Sequence, residues 1–245
     1  MIASLAMYDW PALRAPSDRL WAGIRDRLRE AGINAPEALE RKRPFMEVWQ
    51  APDLVFSQTC GRPYRLHLKD RVTLVGTPDY GLPGCPPGHY NSVFVVRARE
   101  ARTDLADFAD ARFAFNDALS QSGWATPRAH AARRGFRFDN TVESGGHARS
   151  AAMVAAGEAD IAALDALSWE MIKRYEPFSL ELRVLERSEP TPGLPYIAGR
   201  GLERRAVFAA AEAAIAALSP EDRACLSLRA LVAIPKPAYM ALPDP

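Results

Sequence analysis

What the chain has little of narrows its chemistry first. Three cysteines, Cys60, Cys85 and Cys225, are spread over 245 residues. The number is odd and no pair has a metal-type spacing, so neither a disulfide framework nor a metal site is expected. No apolar run approaches the roughly 20 residues that a membrane-spanning helix requires, so no membrane insertion is expected. The opening stretch, MIASLAMYDWPAL, has neither a basic n-region nor a long apolar h-region and meets Pro11, so it does not read as a secretory signal. Neither charge is in excess: 31 Lys and Arg against 30 Asp and Glu leave a net +1, without the basic footprint of a nucleic-acid binder. There is no Walker A loop and no GxGxxG fingerprint.

What remains is 48% hydrophobic and 25% charged, the balance of a globular protein that can bury a core, with a length that suits about two modest domains. The most organised stretch is residues 141–169, TVESGGHARSAAMVAAGEADIAALDALSW. Thr141–Ser144 reads as an extended piece and is followed by Gly145 and Gly146, where the backbone can turn sharply and approach a ligand with no Cβ in the way. His147 stands at a helix start, Ala148–Ala156 is a small-residue helix, and Gly157 stops it. Residues 160–164 read as a buried strand with Asp165 at its carboxyl end. Strand, glycine turn, helix and strand make a βαβ unit whose loop aims helix N–H groups and the positive end of the helix dipole at one spot. The plainer alternative is a tight turn into an Ala-rich helix, with a surface histidine.

A second unit of the same type lies just upstream. Arg112–Phe115 reads as a strand, residues 116–124 (NDALSQSGW) as its loop, and the following residues as a helix to Arg134 stopped by Gly135. Ser120, Ser122 and Gly123 place two hydroxyls and an unhindered N–H between strand end and helix start. Loops of this kind lie side by side at the carboxyl ends of strands in an open parallel sheet, where ligands bind. Either serine can be the N-cap, and Thr126-Pro127 offers a competing cap and first position.

Ser120-Gln121-Ser122-Gly123-Trp124, then Gly145-Gly146-His147-Ala148-Arg149-Ser150, then residues 157–165 (GEADIAALD) resemble the phosphate/phosphonate-type substrate-binding proteins of ABC importers. The resemblance runs in order over roughly residues 1–200. It implies an α/β, two-lobed type II periplasmic-binding-protein-like fold with mostly parallel sheets and a ligand cleft between the lobes. Lobe I would be residues 1–93 plus 190–245 and lobe II residues 94–189. It implies ligand-binding positions at Ser120, Gln121, Ser122, Gly123, Gly146, His147 and Asp165, with Tyr8, Gln58, Thr59 and Tyr90 where the first lobe meets the ligand. Asp165 can instead cap the helix carrying Trp169, and Tyr8 and Tyr90 can be hinge packing. Gln121 departs from the pattern, since a small hydroxyl residue is common between the two serines. Cys60 beside Gly61 can be read as a nucleophile or as a buried thiol, and the residues favour the second.

The remaining elements are expected as follows. Strands are read at 2–7, 54–56, 72–75, 90–97 and 180–185, and a loop at 76–90. Ser17 can cap a helix through Ala31, Thr103 a short helix, and Ser219-Pro220 starts another after a helix at 202–218. The tail from Pro235 is expected to wrap the surface, and His89 and His130 to lie there too. By function the resemblance implies a non-catalytic binding protein for a small anionic ligand of phosphonate or phosphate type, with no cofactor and with an ABC permease as partner. The alternative is a cytoplasmic enzyme or ligand sensor on the same fold, as in menaquinone and thiamine pathways. The resemblance points to the periplasm, and Met1 as a native start would point to the cytoplasm.

Overall fold

The structure, a computed structural model, describes residues 1–244. Its contacts divide the chain into two compact units, each discontinuous. One comprises Met1–His89 and Pro192–Met240, and the other Tyr90–Thr191 with the last residues from Ala241. Among the described residues no helix is long and apolar enough to cross a membrane.

The first unit is built on a five-stranded sheet in the order Ile2–Ser4, Leu54–Gln58, Tyr196–Gly199, Val72–Asp79, Ala230–Val232. Leu54–Gln58 is buried along its whole length, as expected of a strand covered on both faces. Helix Arg14–Glu30 presents Trp21, Ile24 and Leu28 from one face. They pack with Phe56, Tyr196 and the Val207, Ala211 and Ile215 side chains of helix Arg204–Ala216 into one buried cluster. Trp21 stacks on Phe56 with centroids 6.1 Å apart.

The second unit holds another five-stranded sheet, ordered Thr141–Glu143, Phe113–Phe115, Ile161–Asp165, Ser92–Arg97, Leu182–Arg187. One face is aromatic: Phe94, Phe108, Phe113 and Phe138 are buried together, with Phe113 and Phe138 stacked at 4.4 Å. Small residues of helix His147–Ala156 such as Ala151 let it settle against the sheet, and Gly157 ends it.

In each sheet most strands share one direction, as expected from the resemblance, and the reversed ones are Ser92–Arg97 in the second unit and Tyr196–Gly199 and Ala230–Val232 in the first. Ile2–Ser4 runs parallel to Leu54–Gln58, and Phe113–Phe115 runs parallel to both Thr141–Glu143 and Ile161–Asp165. The remaining ladders of the two sheets are antiparallel. The reason lies in where the chain enters each unit. Ser92 begins its strand opposite Asp165, the last residue of the neighbouring strand. Tyr196 likewise begins opposite Gln58, the last residue of Leu54–Gln58. A strand that enters at the carboxyl ends of its neighbours must run against them.

Several local expectations are corrected. Helix Arg14–Glu30 grows directly out of the short turn Pro11–Leu13, so Ser17 is buried inside it and does not cap it. Pro16 is tolerated because first-turn N–H groups have no intrahelical acceptor. Asp104, not Thr103, caps the turn at 105–108, accepting from the Ala106 N–H at 2.9 Å. The strand from Val72 runs on to Asp79 through Gly76 and Pro78, with Pro78 opposite Leu231. The short strands Tyr196–Gly199 and Ala230–Val232 escape the sequence pattern because they are brief, four and three residues long. The tail does not merely wrap the surface: helix Lys236–Met240 buries Tyr239 completely, edge-on to Tyr64 at 5.4 Å. His130 is not a free surface residue, since its Nε2 lies 2.6 Å from Glu186 Oε1.

The start of helix Pro220–Leu226 is as expected, with Ser219 Oγ accepting from the Asp222 N–H at 3.0 Å and Pro220 in the first position. Ser219→Ala should therefore lower stability by about 1 kcal/mol, a fall of about 2–4 °C in thermal midpoint. Ser219→Asp should retain the midpoint, and circular dichroism melts of the three proteins check both outcomes.

Candidate functional site

The three parallel strands of the second unit finish at one edge, so the chain leaves them through neighbouring loops. Two hydrogen bonds extend the pairing past the strands. Ser144 N–H donates to Phe115 O at 2.8 Å and Gly145 N–H to Asn116 O at 3.0 Å. These stitch the serine loop to the glycine loop. Gly145 then turns the chain at φ +86, a left-handed conformation that favours glycine. Gly146 is ordinary extended backbone at φ −176, so only the first glycine of the pair is required by conformation. Ser144 Oγ donates to Gly146 O at 3.0 Å and lies 2.7 Å from Ser150 Oγ, which pins the turn to the helix behind it. Helix His147–Ala156 starts with no side-chain cap, and its first N–H groups have no intrahelical partner either.

In the serine loop the two hydroxyls divide the work. Ser120 is the N-cap: its Oγ accepts from the Gly123 N–H at 3.0 Å and opens a π-type turn at Gln121–Ala125 that leads into helix Thr126–Arg133. Gln121 points inward, its Nε2 donating to Thr126 Oγ1 at 2.8 Å, so the competing cap at Thr126 is occupied. Ser122 has its carbonyl held by Ser92 Oγ at 2.7 Å, and Ser92 is held in turn through its N–H to Ser188 Oγ at 2.9 Å. The Ser122 hydroxyl thereby comes 3.3 Å from His147 Nε2.

Gly123 is where these pieces close on each other. A Cβ there would fall 1.9 Å from Asn116 Oδ1 and 3.2 Å from His147 Cε1, so no larger residue fits without displacing one of them. Asn116 Oδ1 and His147 Nδ1 are both sealed from solvent with no hydrogen-bond partner. The His147 residue as a whole is half-buried. Burial pushes its pKa down to about 4, opposed by the Ala163 carbonyl, which acts on the ring without meeting Nδ1 in hydrogen-bond geometry. The ring is neutral at pH 7.

The other expected positions are placed as follows. Asp165 is a buried N-cap, accepting from the Ser168 N–H at 2.9 Å and starting helix Ala166–Tyr175. Tyr90 is buried at the start of the second unit. Tyr8, Gln58 and Thr59 belong to the first unit. There Gln58 Nε2 donates to Tyr80 Oη and to Leu194 O, both at 3.1 Å, and Tyr8 meets Tyr80 edge-on at 5.7 Å. Thr59 is fully buried, its N–H on Pro195 O at 3.0 Å. Cys60 is a buried thiol. The sequence reading misses Asn116 and Ser92. Asn116 looks like a turn residue after a strand, and Ser92 is one hydroxyl at the head of an apolar run. Among the described residues no group of three His, Cys, Asp or Glu could hold a metal ion.

The sequence model of one family, described as "ABC transporter, phosphonate, periplasmic substrate-binding protein", matches residues 59–233. No curated protein sequence matches the chain. Among solved structures, XAC2383 from Xanthomonas citri, bound to chloride ion, is 17% identical with a TM-score of 0.72, over 99% of this chain and 94% of that one. PhnD1 from Prochlorococcus marinus, in complex with methylphosphonate, is 15% identical with a TM-score of 0.72, over 97% and 93%. PA3383 from Pseudomonas aeruginosa, a binding protein component of an ABC phosphonate transporter, is 16% identical with a TM-score of 0.65, over 91% and 78%.

The buried imidazole makes stability depend on pH with a defined sign. His147 titrates near 6.5 when unfolded and at about 4 when folded, so the unfolded chain takes up the proton first. Its contribution is complete above the unfolded value, is lost as pH falls from there toward 4, and changes no further below. His147→Gln should show a shallower loss of stability across that window than the parent protein, with the two converging in slope above it. Urea denaturation at a series of pH values checks this; equal slopes would mean that the ring is not held neutral by the fold.

Proposed function

Because the chain belongs to the family of periplasmic substrate-binding proteins of phosphonate ABC transporters, we propose that the edge between Ser122 and His147 binds a small phosphonate- or phosphate-like oxyanion. The fold is that of type II periplasmic binding proteins, and we take the two compact units as its two lobes. The observation that carries the site is the 3.3 Å approach of Ser122 Oγ to His147 Nε2, which brings two polar groups from two helix starts to one place.

Such a site would hold an anion with neutral donors. The Ser122 hydroxyl, a ring N–H of His147 and the uncapped N–H groups at the start of helix His147–Ala156 supply hydrogen bonds, and the helix dipole adds the favourable sign. No free cation is required: Arg149, in the first turn of that helix, is paired with Glu158 at 2.7 Å. Charge-assisted hydrogen bonds contribute about 1.5–3 kcal/mol each. A few of them, less the cost of ordering, reach the roughly 8 kcal/mol of a micromolar complex. Ser120, Gln121 and Asp165 serve by shaping the loops.

The same pair invites an enzymatic reading, as a nucleophile beside a base. Two features speak against it. No carboxylate bonds His147 Nδ1, so the ring lacks the acidic third member of a triad. With its pKa near 4 the imidazole is also a weak base at neutral pH. We therefore read the chain as non-catalytic, delivering its ligand in the periplasm to an ABC permease.

Titration calorimetry with methylphosphonate and with phosphate tests the assignment. Ser122→Ala and His147→Ala should each weaken binding by about 1–2 kcal/mol, or roughly five- to thirtyfold. Arg149→Ala should leave the affinity within about twofold, as for a surface ion pair. Unchanged affinity in both of the first two variants would place the site elsewhere.

A further inference from the structure

Asn116 is left unexplained by a site made only of donors. Its main chain belongs to the seam between the loops, with its carbonyl accepting from Gly145 N–H at 3.0 Å. Its side chain reaches from that seam to Gly123, where Oδ1 shares its surroundings with the His147 ring. Oδ1 is sealed from water and accepts no hydrogen bond, an arrangement that folded proteins avoid unless something else supplies the partner. Asp165 caps a helix and the neighbouring Asp117 accepts from the Leu119 N–H at 2.5 Å. Asn116 Oδ1 is thus an unpaired acceptor that, unlike a hydroxyl, can never donate.

We propose that Asn116 makes this site selective for oxyanions that carry a proton, its Oδ1 accepting from the acid hydroxyl of a bound phosphonate or phosphate. The inference rests on the reading of the Ser122–His147 edge as an oxyanion subsite and goes beyond it, because donors alone bind any tetrahedral anion. A phosphonate monoanion and a sulfonate have the same shape and the same single charge. They differ by one proton, which only an acceptor can read. With the phosphonate, a small turn of the Asn116 amide lets Oδ1 take the P–OH hydrogen while the donors hold the remaining oxygens. With the sulfonate, Oδ1 faces a bare anionic oxygen and stays unpaired. Discrimination of this kind is larger than shape alone gives, because the wrong ligand leaves a buried polar atom without a partner.

The test is a comparison of methylphosphonate with methanesulfonate by calorimetry at about pH 6, where a phosphate-type oxyanion retains a proton. The parent protein should bind methylphosphonate at least about tenfold tighter than methanesulfonate. Asn116→Ala should bring that ratio near one by weakening methylphosphonate alone, and Asn116→Asp, an acceptor without a donor, should keep or raise it. The ratio is taken within each variant, so a partly folded sample does not distort it. Equal affinity of the parent protein for the two ligands, an unchanged ratio in Asn116→Ala, or a reduced one in Asn116→Asp would each overturn the role of Asn116 while leaving oxyanion binding in place. A parent protein that binds neither compound nor phosphate would overturn the binding reading itself, and this inference with it.

Discussion

The candidate site depends on the parallel pairing of three short strands. Phe115 lies opposite Glu143, and Phe113 lies opposite both Thr141 and Ile161. With that register the chain must turn out of the sheet at Asn116 and at Ser144 side by side. The main-chain bonds from Ser144 and Gly145 to Phe115 and Asn116 then hold the two loops together past the end of the sheet. A shift by one residue would exchange the faces of Phe113 and Phe115, and the aromatic core beneath the site would be lost. The packing of Phe113 on Phe138 and of Phe115 on Trp124 is therefore also what aims the loops.

On that frame the site is polar without carrying a net charge. The arrangement suits a ligand that brings its own charge and must leave again. A buried arginine or lysine would need a permanent counter-ion in the empty protein, or would carry a desolvation penalty. Hydroxyls, an imidazole held neutral by burial and the N–H groups of a helix start avoid that penalty and still point positive ends of dipoles at one place. What this edge bears instead is a pair of buried atoms without a hydrogen-bond partner, Asn116 Oδ1 and His147 Nδ1. Gly123 allows both to come so near, since any side chain there would occupy the position that Asn116 Oδ1 holds.

The supporting contacts explain why the loops keep their shape. Ser92 reaches from the entering strand to the Ser122 carbonyl, and Ser188, just past the leaving strand, accepts from the Ser92 N–H. Both crossings of the chain into and out of the second unit are thus tied, through two hydroxyls, to the residue that approaches His147. Asp165, Ser120 and Gln121 are each occupied by a local partner. Each of these bonds holds the start of a helix or turn in shape.

Read in order, the amino acids by themselves determined the alternation of strand, glycine turn and helix around residues 112–165, the stop at Gly157, the Ser219-Pro220 start and the family. Those features are local: they rest on backbone conformation at glycine and proline, on capping by the next few residues and on the period of apolar side chains. Tertiary structure alone decided which polar residue does what. Ser120 and Ser122 are the same residue type two positions apart, and only the place of His147, twenty-five positions on, makes one a cap and the other its partner. Asp165 and Gln121 have local partners, the Ser168 N–H and the Thr126 hydroxyl, that spacing along the chain left open. His130 looked like a surface residue and the tail like a wrapping; Glu186 and Tyr64 are the distant groups that gave them other work. A side chain's partner is set by distance in space, and the chain reports distance only along itself.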